Sequence, residues 1–478
     1  MYRSLLTALT CAISLASELP AQPAPLIQPE QLQEDFQTLH TTLEAAHFDL
    51  YAATPPSVFS QRRAEIMAQL NEPMSQLDAA IVFQTYTALA RHAHARVEFP
   101  LQRWFDHVEA DGLVLPVDIR IRDGRVWLAD HQTGDNDLQA SAEILSLNGE
   151  PNAVWLARYT RHISADTPHM AYTLLETYLP LVFWIENPAL NMVSLQLAQA
   201  DGVVTTADIA LRPLAAFEGS SSSNSPLTLP EHDVRMLDGE IAYLRPGAFT
   251  NTTEGESQWD PTSYISRVDA AFERFLDAGA QALILDLRNN PGGSASFSDP
   301  LIAWFADRPW RFASQFTVRV SAATTASNAA RLADGGGETS RQLAELFASA
   351  ANGARVSMDL DLQHPRPGTR FERPVYILIN RYSYSNATTV AALAQDYGFA
   401  VIAGETTADM ATTYAAMEHF SLPHSGLAVG YPKAHIIRPN GHSAPHPVTP
   451  DIEIEFPVFP GSEDEVLERL RLHIIAEL

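Results

Sequence analysis

The sequence predicts an α/β protein with a helical N-terminal region and a β-rich middle, and three patterns carry that prediction. From about residue 232 onward, apolar strand-like runs alternate with helix-like runs, the texture of α/β architecture. Residues 29–99 place apolar side chains at helical spacing, and residues 100–215 read as strands separated by turns. At 478 residues the chain is also too long for one core, so two or three domains are expected.

Taken in order, Met1-Tyr2-Arg3 gives a short positive start, and 4–15 is mostly apolar. Small residues follow, which predicts a signal peptide over 1–21 with cleavage after Ala16 or Ala21, and a soluble, exported mature chain that is periplasmic or secreted. No later run approaches the ~18 apolar residues of a membrane span, so no stable membrane insertion is expected. The only cysteine, Cys11, lies in the leader, which leaves a processed chain without disulfides or thiolate metal sites. Leu32, Phe36, Leu39, Leu43 and Ala46 form one helical stripe, and further helices are expected around 57–70 and 76–92. Runs 114–121 and 125–129 flank Asp123-Gly124, a hairpin turn signal. The Ser-rich stretch 219–225, with Pro226 and Pro230, marks a linker over 216–231.

In the C-terminal region 232–478, strands are expected at 282–287, 375–380 and 399–403. Helices are expected at about 296–306 and at 386–397, the second closed by Gly398. The Ala/Ser/Thr/Gly-rich stretch 321–338 reads as a loop or insertion. A formal net charge of −26 argues against nucleic acid or an anionic membrane as partner. Of the 31 basic residues, only Lys433 is a lysine.

Two loops carry the chemistry. In the first, an apolar strand runs through Asn380-Arg381-Tyr382-Ser383-Tyr384-Ser385 straight into a helix. A serine at a helix N-terminus sits among free N–H groups that favour negative charge, which suits the oxyanion of acyl transfer. The competing reading is a plain N-cap. In the second, Asp286-Leu287-Arg288-Asn289-Asn290-Pro291-Gly292-Gly293 again leaves a strand, and paired glycines let a substrate approach uncovered backbone N–H groups.

These strings, together with Gln395-Asp396-Tyr397-Gly398, Gly404-Glu405-Thr406-Thr407 and Val448-Thr449-Pro450-Asp451, resemble the C-terminal-processing (tail-specific) and tricorn-like serine peptidases. That group also includes retinoid-binding relatives with no demonstrated need for proteolysis. Ala46-His47-Phe48-Asp49-Leu50-Tyr51 and the 144–149 string, which is similar to a strand and turn of PDZ-type modules, add weaker support. The resemblance implies a crotonase-like (ClpP-like) catalytic core over 232–478, an N-terminal helical domain over 29–99 and a PDZ-like β-rich domain over 100–215. It implies Ser385 as nucleophile, and an oxyanion hole from Gly292 or Gly293 and from Asn386. A peptide or protein substrate and no cofactor are implied as well.

A serine hydroxyl needs a base. The Ser–Lys branch carries a lysine where this chain has Met410, so that dyad is close to excluded. The histidine branch fits His92-Ala93-His94-Ala95-Arg96, with His94 as the favoured base. That branch's glutamate falls on Ala444, leaving His442, Ser443, His446 or Glu405 as open substitutes for the third member. The alternative is a catalytically weak or inactive member that binds peptides or hydrophobic ligands. A zinc site on the pairs His92/His94 and His442/His446 is a lesser rival, since no His-Glu-x-x-His occurs. The absent Gly-x-Ser-x-Gly elbow argues against an α/β-hydrolase.

Overall fold

The computed structural model describes residues 26–131, 138, 140–216, 231–251, 257–333, 338–458 and 463–478. The expected signal peptide and nearly all of the expected linker lie outside the described residues.

The strands expected after 232 assemble into a six-stranded sheet. Its order is Asp233–Leu237, Ile241–Arg245, Ala282–Asp286, Val375–Ile379, Val401–Gly404 and Ile452–Glu453. After the first antiparallel pair, every neighbour is parallel. Strands Ala282–Asp286 and Val375–Ile379 are buried at every position, as a parallel strand covered on both faces must be. Their side chains alternate between two cores. Leu283, Leu285, Ile377 and Ile379 pack with Phe272, Phe297, Val390 and Leu393 of the helices on one side. Ile284, Tyr376 and Leu378 pack with Val466, Leu467, Leu470 and Ile474 of helix Glu465–Glu477 on the other.

A second six-stranded sheet is built on the long hairpin Met410–Ser421/Ala428–Ile437. Strand Arg96–Val97 joins it, pairing antiparallel with Val429 and Gly430. Helices Pro29–Ala46, Pro56–Gln69 and Gln76–Thr87 bury Leu32, Phe36, Leu39 and Phe83 in a core that also takes Val429 and Tyr431 from the hairpin. The chain leaving the N-terminal helices is thereby fixed to the C-terminal region.

A third sheet contains the expected hairpin, as Val117–Arg122 paired with Arg125–His131. Residues 100–215 are not only strands, however. Helices Leu101–Glu109, Asn152–Thr160 and Pro168–Glu186 lie in the same span. The start of the last is written in the sequence: Thr167 caps it by accepting from Met170 N at 3.1 Å, and Pro168 occupies the first turn. The stretch 321–338 also departs from expectation, since Ala322–Ala333 is a helix. Alanine's helix propensity wins there, and Ser321 Oγ accepts from Thr324 N at 3.0 Å in the manner of a cap.

Helix Pro168–Glu186 reaches back to the central sheet through Glu176. Its buried carboxyl accepts from Ile121 N at 2.5 Å, from the Tyr382 hydroxyl, and from Arg381 Nη1 at 3.4 Å. Burial pushes this carboxyl up against the opposing pull of Arg381, Arg120 and Tyr382. Arg381 is held in turn by Glu405 at 2.7 Å. Removing the acceptor leaves a buried N–H and a hydroxyl unmatched, so Glu176→Ala should cost about 3 kcal/mol. Glu176→Gln keeps an acceptor and should cost less than half as much. Urea unfolding midpoints of the two variants check the order; equal losses would contradict it.

Candidate active site

The two chemistry-bearing loops leave neighbouring parallel strands, in the register Leu283↔Val375 to Asp286↔Leu378, so both emerge at the same edge of the sheet. Side chains then lock loop to loop. Asn289 N donates to Asn380 Oδ1 at 3.0 Å, and Asn380 Nδ2 donates to Asn289 Oδ1 at 2.8 Å. Tyr384 N donates to Asn290 O at 2.9 Å. Ser383, fully buried, donates its hydroxyl to Leu287 O at 2.8 Å, so the first serine of Ser383-Tyr384-Ser385 fastens the loops together. Asp286 is the electrostatic anchor beneath. Burial alone would raise its pKa, but Arg288 at 2.7 Å and Arg245 at 2.8 Å hold it well below the usual carboxylate range.

Ser385 sits at the N-cap of helix Asn386–Tyr397 with φ 54° and ψ −120°. A positive φ in a residue with a Cβ costs about 1–3 kcal/mol and marks a conformation that the surroundings enforce. Its side chain makes no capping hydrogen bond, so the plain capping role is not the one it plays. Its N–H is instead held by Asp409 Oδ2 at 2.5 Å.

The glycine turn packs directly on this serine. A Cβ on Gly292 would lie 2.6 Å from Asn386 N and from Tyr384 O, and 2.9 Å from Ser385 Cβ; only glycine fits. Of the two expected donors, Gly292 has its N–H committed to Asn290 Oδ1 at 2.9 Å. Gly293 is exposed, and the flanking bonds use Gly292 O and Ser294 N. Its own N–H has no protein acceptor among the described residues. Asn386 opens the helix, where an N–H has no intrahelical acceptor.

His94 lies in the turn that leads into strand Arg96–Val97, closed by Ala95 N donating to His92 O at 2.9 Å. The pairing of that strand with the C-terminal hairpin brings this histidine of the N-terminal region to the serine loop. Its ring stacks on Tyr384, the residue before Ser385, with centroids 5.7 Å apart and planes 16° from parallel. Among the described residues no hydrogen bond joins His94 to Ser385, and the buried His94 Nδ1 has no partner. Burial pushes the His94 pKa below its ordinary value, against an opposing pull from the Asp166 charge.

Two carboxylates near the serine and histidine escaped the sequence reading. Asp166 accepts from Ala93 N at 3.0 Å and lies 3.3 Å from His92 Nδ1. Nothing in its local sequence distinguishes it. Asp409, 2 % exposed, stands one residue before Met410 among small and threonine side chains, with no other charge between Glu405 and Glu418, which was a usable signal. Burial, and then the Asp166 charge, push its pKa up to about 7, while the N–H groups of Ser385 and Met410 oppose the shift.

The substitutes considered for the third member fare differently. Glu405 is taken by Arg381 at 2.7 and 2.9 Å. His442, Ser443, Ala444 and His446 are exposed, with the two histidine rings packed on each other at 5.5 Å. Lys433 is buried in a pair with Glu418. No group of three His, Cys, Asp or Glu side chains among the described residues is arranged to hold a metal ion, so His92, His94, His442 and His446 do not converge on one. No helix of the described residues is long and apolar enough to cross a membrane.

Residues 240–454 match the sequence profile of Peptidase family S41. Solved structures with the same fold include a CPAF mutant in which a serine is replaced by alanine, at TM-score 0.69 and 16 % identity over 94 % of this chain and 98 % of that one. Mature CPAF complexed with lactacystin matches at TM-score 0.66 and 16 % identity, covering 94 % and 97 % of the two chains. Mature CPAF itself matches at TM-score 0.64 with the same identity, covering 94 % and 96 %. At that identity the likeness is one of fold. No curated protein matches the sequence.

The Asp409 shift has a stability consequence. Its folded pKa of about 7 lies above the ordinary ~3.9 of an unfolded aspartate, so ionisation is harder in the fold. Stability attributable to the protonated group is therefore present below about pH 4 and lost as pH rises through 7. Asp409→Asn, which keeps an acceptor for Ser385 N, should gain in Tm over the parent as pH rises from 4 to 7.5. A difference independent of pH would contradict the assignment.

Proposed function

We propose that the chain is a serine endopeptidase of the S41 type, with Ser385 as its nucleophile, His94 its base, and the N–H groups of Gly293 and Asn386 its oxyanion hole. The observation that carries the reading is the close packing of the glycine turn on the serine: a Cβ on Gly292 would lie 2.6 Å from Asn386 N and 2.9 Å from Ser385 Cβ. In this reading the free N–H of Gly293 and the helix-opening N–H of Asn386 are the two donors to a substrate carbonyl oxygen.

In this mechanism Ser385 Oγ attacks a peptide carbonyl carbon, and His94 takes the hydroxyl proton. The carbonyl oxygen becomes an oxyanion between Gly293 N–H and Asn386 N–H. Collapse breaks the C–N bond, and His94 returns the proton to the departing amine. Water then attacks the acyl-enzyme with His94 again as base, freeing the second product and Ser385. The enforced backbone of Ser385 holds its side chain at the helix N-terminus, where the dipole favours the developing charge. His94 is held by its stack on Tyr384, the residue before Ser385, and the proton transfer requires the imidazole within hydrogen-bond reach of Ser385 Oγ.

The same reading takes 232–478 as a crotonase-like core, 29–99 as a helical domain, and 100–215 as a PDZ-like domain that presents an extended peptide to the site. Export fits the leader composition at 1–21. A member that only binds peptides or hydrophobic ligands is the second reading, favoured by the missing hydrogen bond between serine and histidine.

Activity on fluorescein-labelled casein separates the two. Catalysis predicts that Ser385→Ala lowers turnover by at least ~10⁴-fold and that His94→Gln lowers it by at least ~10²-fold. It also predicts an acid limb of the parent's rate below the ordinary imidazole value of ~6.5, as a buried histidine requires. Parent protein no more active than Ser385→Ala would establish the binding reading instead.

A further inference from the structure

The resemblance to the histidine branch puts an orienting glutamate at the position of Ala444, which is exposed and carries no acceptor. A base without an orienting acceptor loses much of its efficiency. The region around His94 nevertheless holds a carboxylate that no sequence motif supplies. Asp166 lies in the segment between helices Asn152–Thr160 and Pro168–Glu186, immediately before the Thr167 cap. Its Oδ2 accepts from Ala93 N at 3.0 Å, and its Oδ1 stands 3.3 Å from His92 Nδ1. It therefore grips both residues before His94, and its side chain is only 10 % exposed.

The segment that delivers it is itself fixed. Gln84 of the N-terminal helices donates to His162 O at 2.9 Å and to Ser164 Oγ at 3.2 Å, while its Oε1 accepts from Val97 N at 2.8 Å. Ala165 and Met170 then pack in one cluster with Ala93 and Ala408, and Tyr384 lies against it. Three parts of the chain thus meet at the histidine turn.

Resting on the reading of His94 as base, we propose that Asp166 is its positioning residue, a carboxylate that sets the His92–His94 turn in place of the missing glutamate. The charged groups facing His94 are Asp166, Arg96 and His92, with the Tyr384 ring and the Tyr414 backbone completing its surroundings. Arg96 is already paired with Glu98 at 3.1 Å. Asp166 is the one carboxylate among these groups, and it favours the imidazolium that forms as Ser385 loses its proton. It faces Asp409 and Tyr384 as well as the two histidines.

The test is the rate of covalent labelling of the full chain by a fluorophosphonate, followed against pH. Asp166→Asn should slow labelling by roughly 10²-fold and move the acid limb to lower pH, because the charge that favours protonated His94 is gone. Asp166→Glu should recover part of the rate. In a His94→Gln background, Asp166→Asn should add nothing further, whereas a merely structural role would slow both backgrounds alike. Unchanged labelling in Asp166→Asn, or an equal loss in both backgrounds, overturns the proposal alone. Parent-like labelling in His94→Gln overturns the base assignment, and this proposal with it.

Discussion

Everything at the site depends on two parallel strands lying next to each other. Ala282–Asp286 and Val375–Ile379 share a ladder, and each ends in a polar loop at the same edge of the sheet. Burial on both faces leaves those strands one register, because a slip by one residue would exchange their two cores. The loops then meet at a spacing that admits no side chain on Gly292. Asn289, Asn380 and Ser383 are consumed in holding that approach. The strained Ser385 backbone is tolerable only because these bonds and Asp409 over-determine it.

Around this rigid centre the electrostatics are those of a low-dielectric site. His94, Asp409 and Asp166 are mostly or wholly withdrawn from water, so each charge weighs heavily on the others. Burial disfavours the imidazolium and leaves His94 neutral, the form a base must have near pH 7. Burial also disfavours an ionised Asp409, which would put a negative charge beside the Ser385 N–H that it accepts. Ala165 and Met170, from the start of helix Pro168–Glu186 and its leading segment, pack with Ala93 and Ala408, the residues before His94 and Asp409.

Much of this was legible in the sequence because it is local. The strand-loop-helix around Ser385, the helix Asn386–Tyr397 closed by Gly398, and the Asp286–Gly293 turn each carry their signals within a dozen residues. The helix at Ala322–Ala333 was misread because a small-residue composition suits a loop and a helix equally, and alanine propensity decided between them. Helix Pro168–Glu186 was missed although Thr167-Pro168 announces it; with Pro180 inside and hydrophobic residues on most sides, its pattern lacks a clear period. Asp166 was out of reach altogether. It comes to His92 and Ala93 from more than seventy residues away in sequence, through tertiary packing alone.

The central claim is that the Gly292–Gly293 turn and the helix N-terminus together receive the charge generated at Ser385. A crystal structure of the chain after reaction with a fluorophosphonate tests this most directly, since the phosphoryl oxygen stands where the oxyanion forms. The account predicts an adduct on Ser385 Oγ with that oxygen about 2.7–3.1 Å from both Gly293 N and Asn386 N. An adduct on another residue, or one whose phosphoryl oxygen points into solvent away from both N–H groups, would contradict it.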